Sequence, residues 1–172
     1  LERRNMIITP EEKRLIAYHE AGHATVSWIL EYANPLIKVT IIPRGRALGA
    51  AWYLPEERQV TTREQIMDDI ASTLGGRAAE KLVFDTLGSG ALNDLEVATK
   101  KAYSMVAYLG MSDKVGNMSY YDSSGQGEMA LTKPYSEQTA ELIDKEVKRL
   151  LDDAFALATK VLREHRDGFT QL

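Results

Sequence analysis

The stretch 17–30, AYHEAGHATVSWIL, holds two of the three histidines of the chain, four residues apart, with a glutamate directly after the first. An α-helix repeats every 3.6 residues, so His19 and His23 lie one turn apart on the same face. Two imidazoles so placed can bind one zinc ion, with Glu20 beside them as the general base for an activated water. The motif therefore predicts a metal site that hydrolyses peptide bonds. The alternative is a buried histidine pair whose neighbours satisfy it, with Glu20 on the solvent face.

The residues before this motif predict where its helix begins. Thr9 can cap the helix, Pro10 suits the first helical position, and Glu12 completes a capping box. Apolar residues then recur at helical spacing until Asn34-Pro35, a pair that stops a helix. The sequence thus predicts one helix from about residue 10 to 32.

Composition bounds the class of protein. The chain has 172 residues, 44% hydrophobic and 27% charged, which is typical of one soluble globular domain. A net charge of −4 gives no basic surface for nucleic acid, and zero cysteines exclude disulfides and cysteine zinc sites. No apolar run is long enough to cross a bilayer. Because the chain starts without Met or a signal peptide, we expect residues 1–172 to be one domain of a longer protein.

The rest of the chain predicts an α+β fold that is mostly α-helical. The β-rich runs 36–43 and 48–55, ending at Pro43 and Pro55, predict a small hairpin sheet beside the site. Periodic apolar residues predict further helices over 61–84, within 88–110 after a glycine-rich turn, and from 136 to about 165. Two short runs between the last two helices are possible strands, NMSYY (117–121) and EMALT (128–132).

The last helix carries a heptad seam, apolar residues at alternating steps of four and three. Its members are Ile143, Val147, Leu150, Ala154, Leu157 and Val161. Such a seam can serve contacts between subunits of a ring or packing inside the domain. Packing inside the domain is the favoured interpretation.

The third zinc ligand is not fixed by the motif. A catalytic zinc needs three protein ligands, and the extension HExxHxxGxxH is absent because residue 29 is Ile. His165, within LREHRD, is interpreted as a solvated surface residue. A carboxylate remains, either Glu80 in GGRAAEK or Asp94 in GALNDLEVAT. From the residues alone both stay open, because Glu80 could face solvent and Asp94 could cap a helix.

Five segments in order carry a resemblance that covers nearly the whole chain: AYHEAGHA, IIPRGRALGAAWYLPEE, TLGGRAAEKLVF, SGALNDLEVAT and GMSDKVGNMSY. Together they resemble the peptidase domain of the FtsH family, which includes the AFG3-like and paraplegin enzymes. These are membrane-anchored, ATP-dependent zinc metalloproteases. Two departures are visible: Ser89 replaces a usual threonine and Lys81 a second glutamate. Neither is a predicted ligand.

The resemblance implies a role for each site residue. The implied ligands of one Zn²⁺ per chain are His19, His23 and Asp94, with Glu20 as general base. Glu80 is implied to lie outside the ligand set and to orient a ligand histidine. The resemblance also places Gly49, Ala50 and Ala51 on a strand that pairs with extended substrate, where Gly49 admits the substrate backbone. The alternative is a simple packing hairpin with Trp52 and Tyr53 in the core.

The resemblance also implies what the longer protein contains. The chain has no G-x-x-x-x-G-K-[ST] phosphate loop, so ATP would act only through a fused ATPase module that, with membrane segments, precedes Leu1. The family implies a homo-hexamer or hetero-hexamer at a bacterial or mitochondrial inner membrane, acting on unfolded or membrane protein substrates, and this fragment itself is expected to be soluble. The alternative function is a non-catalytic scaffold domain of the ring. A third is a zinc hydrolase of non-peptide substrates.

Overall fold

The computed structural model describes residues 8–42, 48–54, 60–126 and 133–172. The elements, in chain order, are α1 (Pro10–Ile29), β1 (Leu36–Thr40), β2 (Ala50–Tyr53), α2 (Arg63–Thr73), α3 (Gly75–Phe84), a 3₁₀ turn (Ser89–Ala91), α4 (Leu92–Ala107), α5 (Glu137–Glu164) and α6 (Arg166–Gln171). The predicted α+β class, mostly helical with one small sheet, is confirmed. Pro43, Pro55 and the possible strand 128–132 lie outside the described residues.

Helices α1 and α2 each begin with a capping box, and for α1 this confirms the predicted start. At α1, the Glu12 amide donates to the Thr9 hydroxyl at 3.2 Å and the Thr9 amide donates to the Glu12 carboxylate at 3.0 Å. Thr62 and Gln65 form the same reciprocal box at α2. Each box satisfies amides that the first helical turn leaves without partners. These local rules therefore fix where α1 and α2 begin, whereas α1 ends three residues earlier than predicted, at Ile29.

The predicted helix over 61–84 is two helices. α2 ends at Thr73 and α3 begins at Gly75, with Leu74 between them at φ −84° and ψ −3°. The interruption coincides with the closest approach of α1, because a Cβ on Gly75 would lie 2.8 Å from the Gly22 carbonyl oxygen. Packing against another helix, which no local pattern shows, thus divides the element. The run 117–121 is irregular rather than a strand.

The long helix α5 packs against α2, α3 and α4, and its heptad seam lies inside the domain. Ile143 is 1% exposed, and Leu150 and Ala154 are fully buried. The interpretation as packing within the domain is therefore confirmed. At the end of the chain, Phe169 of α6 is buried edge-on against Tyr18 of α1, with ring centroids 5.4 Å apart.

The two strands form an antiparallel hairpin that packs on α1. Leu36 pairs with Tyr53 and Thr40 with Ala50, with an irregularity between Leu36 and Lys38. Within the described residues β2 has a hydrogen-bonded neighbour strand on one side only. None of the helices in that part of the chain combines the length and apolar character needed to cross a membrane.

Candidate metal centre

Three donor atoms from two helices meet at one point. From α1, His19 and His23 bring their Nε2 atoms to 3.0 Å from each other. From the first turn of α4, Asp94 brings Oδ2 to 3.0 Å from the first Nε2 and 3.1 Å from the second. A tetrahedral zinc with ligand distances of about 2.0–2.1 Å separates its donor atoms by about 3.3 Å. The triangle is therefore close to the size that a zinc ion needs.

The outer ring nitrogens orient both imidazoles. His19 Nδ1 donates to Glu80 Oε1 at 2.8 Å, and His23 Nδ1 donates to the Ser72 carbonyl oxygen at 2.9 Å. Because both outer nitrogens are hydrogen-bonded, both inner Nε2 atoms face the carboxylate of Asp94, where each can hold a proton or, in a neutral imidazole, give its lone pair to a metal ion. Three such atoms at this spacing need a cation between them, either a proton or a metal ion. This donor set fits a divalent metal ion, and it forms a group that could hold one.

Glu80 lies behind the triangle rather than in it. Its side chain is buried, and its second oxygen, Oε2, accepts a hydrogen bond from the Gly88 amide at 2.8 Å. Gly88 precedes the turn that leads into α4, the helix that carries Asp94. The carboxylate thus joins His19 to the segment that positions the third donor. Of the two carboxylates that the residues left open, the structure brings Asp94 to both Nε2 atoms.

The electrostatics of the triangle keep its carboxylate charged. Burial raises the pKa of Asp94, but hydrogen bonds from His19 and His23 outweigh it and hold this pKa far below its usual range. Burial likewise lowers the pKa of His19, yet its hydrogen bonds to Asp94 and Glu80 leave the net shift upward. An ionised carboxylate and two neutral imidazoles would leave a bound divalent ion with a net charge of +1.

Glu20 lies on α1 beside the triangle and is 8% exposed. Burial raises the pKa of its carboxyl group, and the nearby imidazoles of His23 and His19 oppose that rise. Gly49, the residue before β2, lies directly against the carboxylate of Glu20. The buried position contradicts the alternative in which Glu20 faces solvent.

Glycines let α1 and α3 meet backbone to backbone. A Cβ on Gly22 would lie 2.7 Å from the Ala79 Cβ, and one on Gly76 would lie 2.5–2.6 Å from ring atoms of His19. Real Cβ atoms essentially never come that close, so neither position admits a side chain without a shift. Gly75 thus admits the backbone of α1, and Gly76 admits the ring of His19.

Comparison with known proteins agrees with this geometry. The sequence model of peptidase family M41 matches residues 6–172. The chain belongs to peptidase family M41.

The relatives of this M41 chain are proteases by name. It is 60% identical over 172 residues to the ATP-dependent zinc metalloprotease FtsH of Parabacteroides distasonis, and 51% identical over 167 residues to that of Karelsulcia muelleri. It is 48% identical over 166 residues to the mouse mitochondrial inner membrane m-AAA protease component AFG3L2. These matches cover 100%, 97% and 96% of the chain, but only 25%, 27% and 21% of the relatives. The chain thus spans about a quarter of their length, and the predicted class, a zinc metalloprotease of the FtsH family, is confirmed.

Some residues of the M41 site carried no signal that sequence reasoning used. Ser72 acts through its backbone carbonyl, which any residue could supply. Tyr53, expected only as a possible core residue, is half-buried at the end of β2. Burial raises the pKa of its phenol, and hydrogen bonds with Ser27 and Ser72 act in the opposite direction. His165 is exposed, as predicted.

Proposed function

We propose that residues 1–172 form the zinc endopeptidase domain of a membrane-anchored, ATP-dependent protease that cleaves unfolded or membrane protein substrates. The observation that carries the proposal is the convergence of two imidazole nitrogens and one carboxylate oxygen beside the buried Glu20. The names of the relatives support the same activity. The proposed ligands of one Zn²⁺ are His19, His23 and Asp94.

Each residue of the site has a proposed task. Bound zinc supplies Lewis acidity toward the scissile carbonyl and toward the attacking water. Glu20 accepts the proton of that water and passes it to the leaving amine. The burial that raises its pKa makes its carboxylate a stronger base at neutral pH. Glu80 holds the ring of His19 and, through the Gly88 amide, the turn before α4.

The hairpin is proposed to present the substrate. The segment formed by Gly49 and β2 runs beside α1. At its start Gly49 lies against Glu20. At its end Tyr53 is hydrogen-bonded to Ser27 and Ser72. Four strand steps of about 3.3 Å cover about 13 Å, and the seven helical steps beside them cover about 10 Å. An extended peptide that paired with the backbone of 49–51 would therefore pass along the catalytic stretch of α1. Pairing through Gly49, Ala50 and Ala51 would read the peptide backbone and tolerate many side chains.

The longer protein is proposed to supply the remaining parts. A fused ATPase would feed unfolded polypeptide to this domain, and ATP would act only there. The names of the two FtsH relatives specify ATP dependence, and that of AFG3L2 specifies the mitochondrial inner membrane. We propose a homo-hexamer or hetero-hexamer at a bacterial or mitochondrial inner membrane, with no nucleic acid partner.

The test uses the full-length protein with ATP, zinc and unfolded casein. Glu20→Gln is expected to keep about one zinc per chain and to lower casein cleavage by roughly 10²–10⁴-fold, the usual contribution of a general base. Glu11→Gln is the matched control, because Glu11 is an exposed glutamate of the same helix.

Three outcomes would contradict the proposal. No cleavage of casein by the zinc-loaded wild type would leave the scaffold role as the explanation of the domain, and equal cleavage by wild type and Glu20→Gln would remove Glu20 as the general base. Turnover of small esters or amides without cleavage of casein would favour a hydrolase of non-peptide substrates.

A further inference from the structure

Gly49 occupies a place that no side chain can share with Glu20. A Cβ built on Gly49 would lie 2.8 Å from both Cγ and Oε1 of Glu20, and 2.9 Å from the carbonyl oxygen of Thr40. All three distances are below the 3.0 Å that real Cβ atoms essentially never break. An alanine here would thus be pinched between the backbone of β1 and the carboxylate of α1.

Conformational freedom does not explain this glycine. Its φ lies outside the left-handed region that disfavours other residues, in contrast to Gly110 (φ 61°) and Gly116 (φ 84°). The backbone of Gly49 is therefore one that alanine can adopt. What excludes a side chain is the space already held by Glu20 and Thr40.

Of the two neighbours, Glu20 is the one that can move. The Thr40 carbonyl belongs to a strand residue that pairs with Ala50, so its displacement would disturb the hairpin register. The backbone of α1 is held on its other side by the contact of Gly22 with Gly75. The flexible atoms at this contact are those of the Glu20 side chain, so crowding at position 49 would displace the carboxylate.

We infer that Gly49 is a positioning residue for Glu20. Because Gly49 has no side chain, the Glu20 carboxylate can occupy the space beside it. The inference rests on the proposed role of Glu20 as general base. It adds to the proposed pairing of the backbone with substrate, which an alanine would leave intact. It differs from the expectation that the glycine serves only to admit the substrate backbone.

Gly90 provides the matched control. It lies in the turn before α4, four residues from Asp94, and a Cβ built there would meet nothing within 4 Å. It too lacks a left-handed φ. Gly90→Ala therefore adds the same methyl group near the same site without crowding Glu20.

The kinetic test uses the full-length, zinc-loaded protease with ATP and unfolded casein. Gly49→Ala is expected to lower kcat by about 10–100-fold, because a displacement of about 1 Å can cost a hundredfold in rate. KM and the zinc content should stay within about twofold of wild type, and Gly90→Ala should behave as wild type. An unchanged kcat, or a rise in KM alone, would overturn the inference, since a rise in KM is what hindered substrate access predicts.

A stability measurement covers the case in which Gly49→Ala folds poorly. If Glu20 is the crowded neighbour, Gly49→Ala should lower Tm in the wild-type background and have little effect on Tm in a Glu20→Ala background. An equal loss of Tm in both backgrounds would assign the crowding to the Thr40 carbonyl and overturn the inference. If Glu20→Gln cleaves as fast as wild type, the proposed function fails. If Glu20→Gln loses activity but Gly49→Ala keeps the kcat of wild type, the inference fails and the proposed function stands.

Discussion

Two glutamates of this chain are equally buried and have different surroundings. Glu80 and Glu146 each expose 2% of their surface. The first accepts hydrogen bonds from His19 and the Gly88 amide, behind the metal triangle. The second accepts from the Ser112 hydroxyl at 2.6 Å and from Arg149 Nε at 2.8 Å, and it ties the segment after α4 to α5.

The two glutamates differ in what else their hydrogen-bond partners, the His19 imidazole and the Arg149 guanidinium, face. The imidazole that Glu80 holds presents its second nitrogen to a point shared with two further donor atoms. The guanidinium that Glu146 holds is partly exposed and always charged, and its hydrogen bonds go to Glu146 and Asp153. Burial of a carboxylate therefore does not mark a functional site by itself. The chemistry of its partner does.

The largest effect is expected at the triangle itself. Asp94→Ala removes one of the three proposed ligands. Zinc affinity should therefore fall by more than about 100-fold, the upper end of the loss expected when a residue that only supports a ligand is removed. Metal analysis after dialysis measures this, with Asn93→Ala, an exposed neighbour, as control. Zinc lost from Glu80→Ala but kept by Asp94→Ala would reverse the assigned roles of the two carboxylates.

The next effect separates Glu80 from the ligands. Glu80→Gln keeps the shape of the side chain but weakens its hold on His19, so zinc affinity should fall by about 10–100-fold. A chelator titration measures the affinity, and Tm without zinc should stay close to wild type. A loss of Tm without a loss of zinc affinity would make Glu80 a purely structural residue like Glu146, and the contrast between the two glutamates would be contradicted.

Glu146→Gln should show the opposite pattern. Loss of charge-assisted hydrogen bonds to a buried group should lower the free energy of unfolding by about 1–2 kcal/mol, with zinc affinity unchanged. Urea denaturation measures this change, and Glu141→Gln, an exposed position of the same helix, is the control. A weaker hold on zinc in Glu146→Gln would contradict the separation of the two regions.

The smallest effect is a pH dependence of that stability difference. The hydrogen bond from Arg149 lowers the pKa of Glu146, and burial, which acts against it, does not cancel it. A carboxyl group whose folded pKa is depressed stabilises the protein above its unfolded pKa of about 4.3 and loses that effect as pH falls through the folded value. The gap in stability between wild type and Glu146→Gln should therefore be full at pH 7 and shrink below pH of about 4. A gap that stays constant to lower pH would exclude ionisation of Glu146 as its source.

Features that depend only on residues close together in the chain could be predicted from the sequence. The caps of α1 and α2 and the shared face of His19 and His23 follow from residues within a few positions of each other. The third donor lies 71 residues beyond His23, and the residues alone left Glu80 and Asp94 both open. The family resemblance selected Asp94, and the structure brings its carboxylate to both imidazoles.

The features that sequence reasoning missed depend on contacts between distant segments. The interruption at Leu74 accompanies the contact of Gly22 with Gly75, which no periodicity within 61–84 can show. Glu146 lies in the charged run DKEVKR and resembles a solvent-facing residue until the Ser112 hydroxyl is placed beside it. In each case the deciding partner is at least 34 residues away in the chain.

The glycine contacts around α1 also bear on which substitutions this family can tolerate over time. Gly22, Gly49, Gly75 and Gly76 each stand where an added methyl group would meet backbone or a site residue closer than 3.0 Å. They have no side-chain chemistry, yet any replacement adds volume that has nowhere to go. Natural variation should therefore be scarce at these four positions, and an inherited alanine at one of them would impair the site although no reactive group is lost.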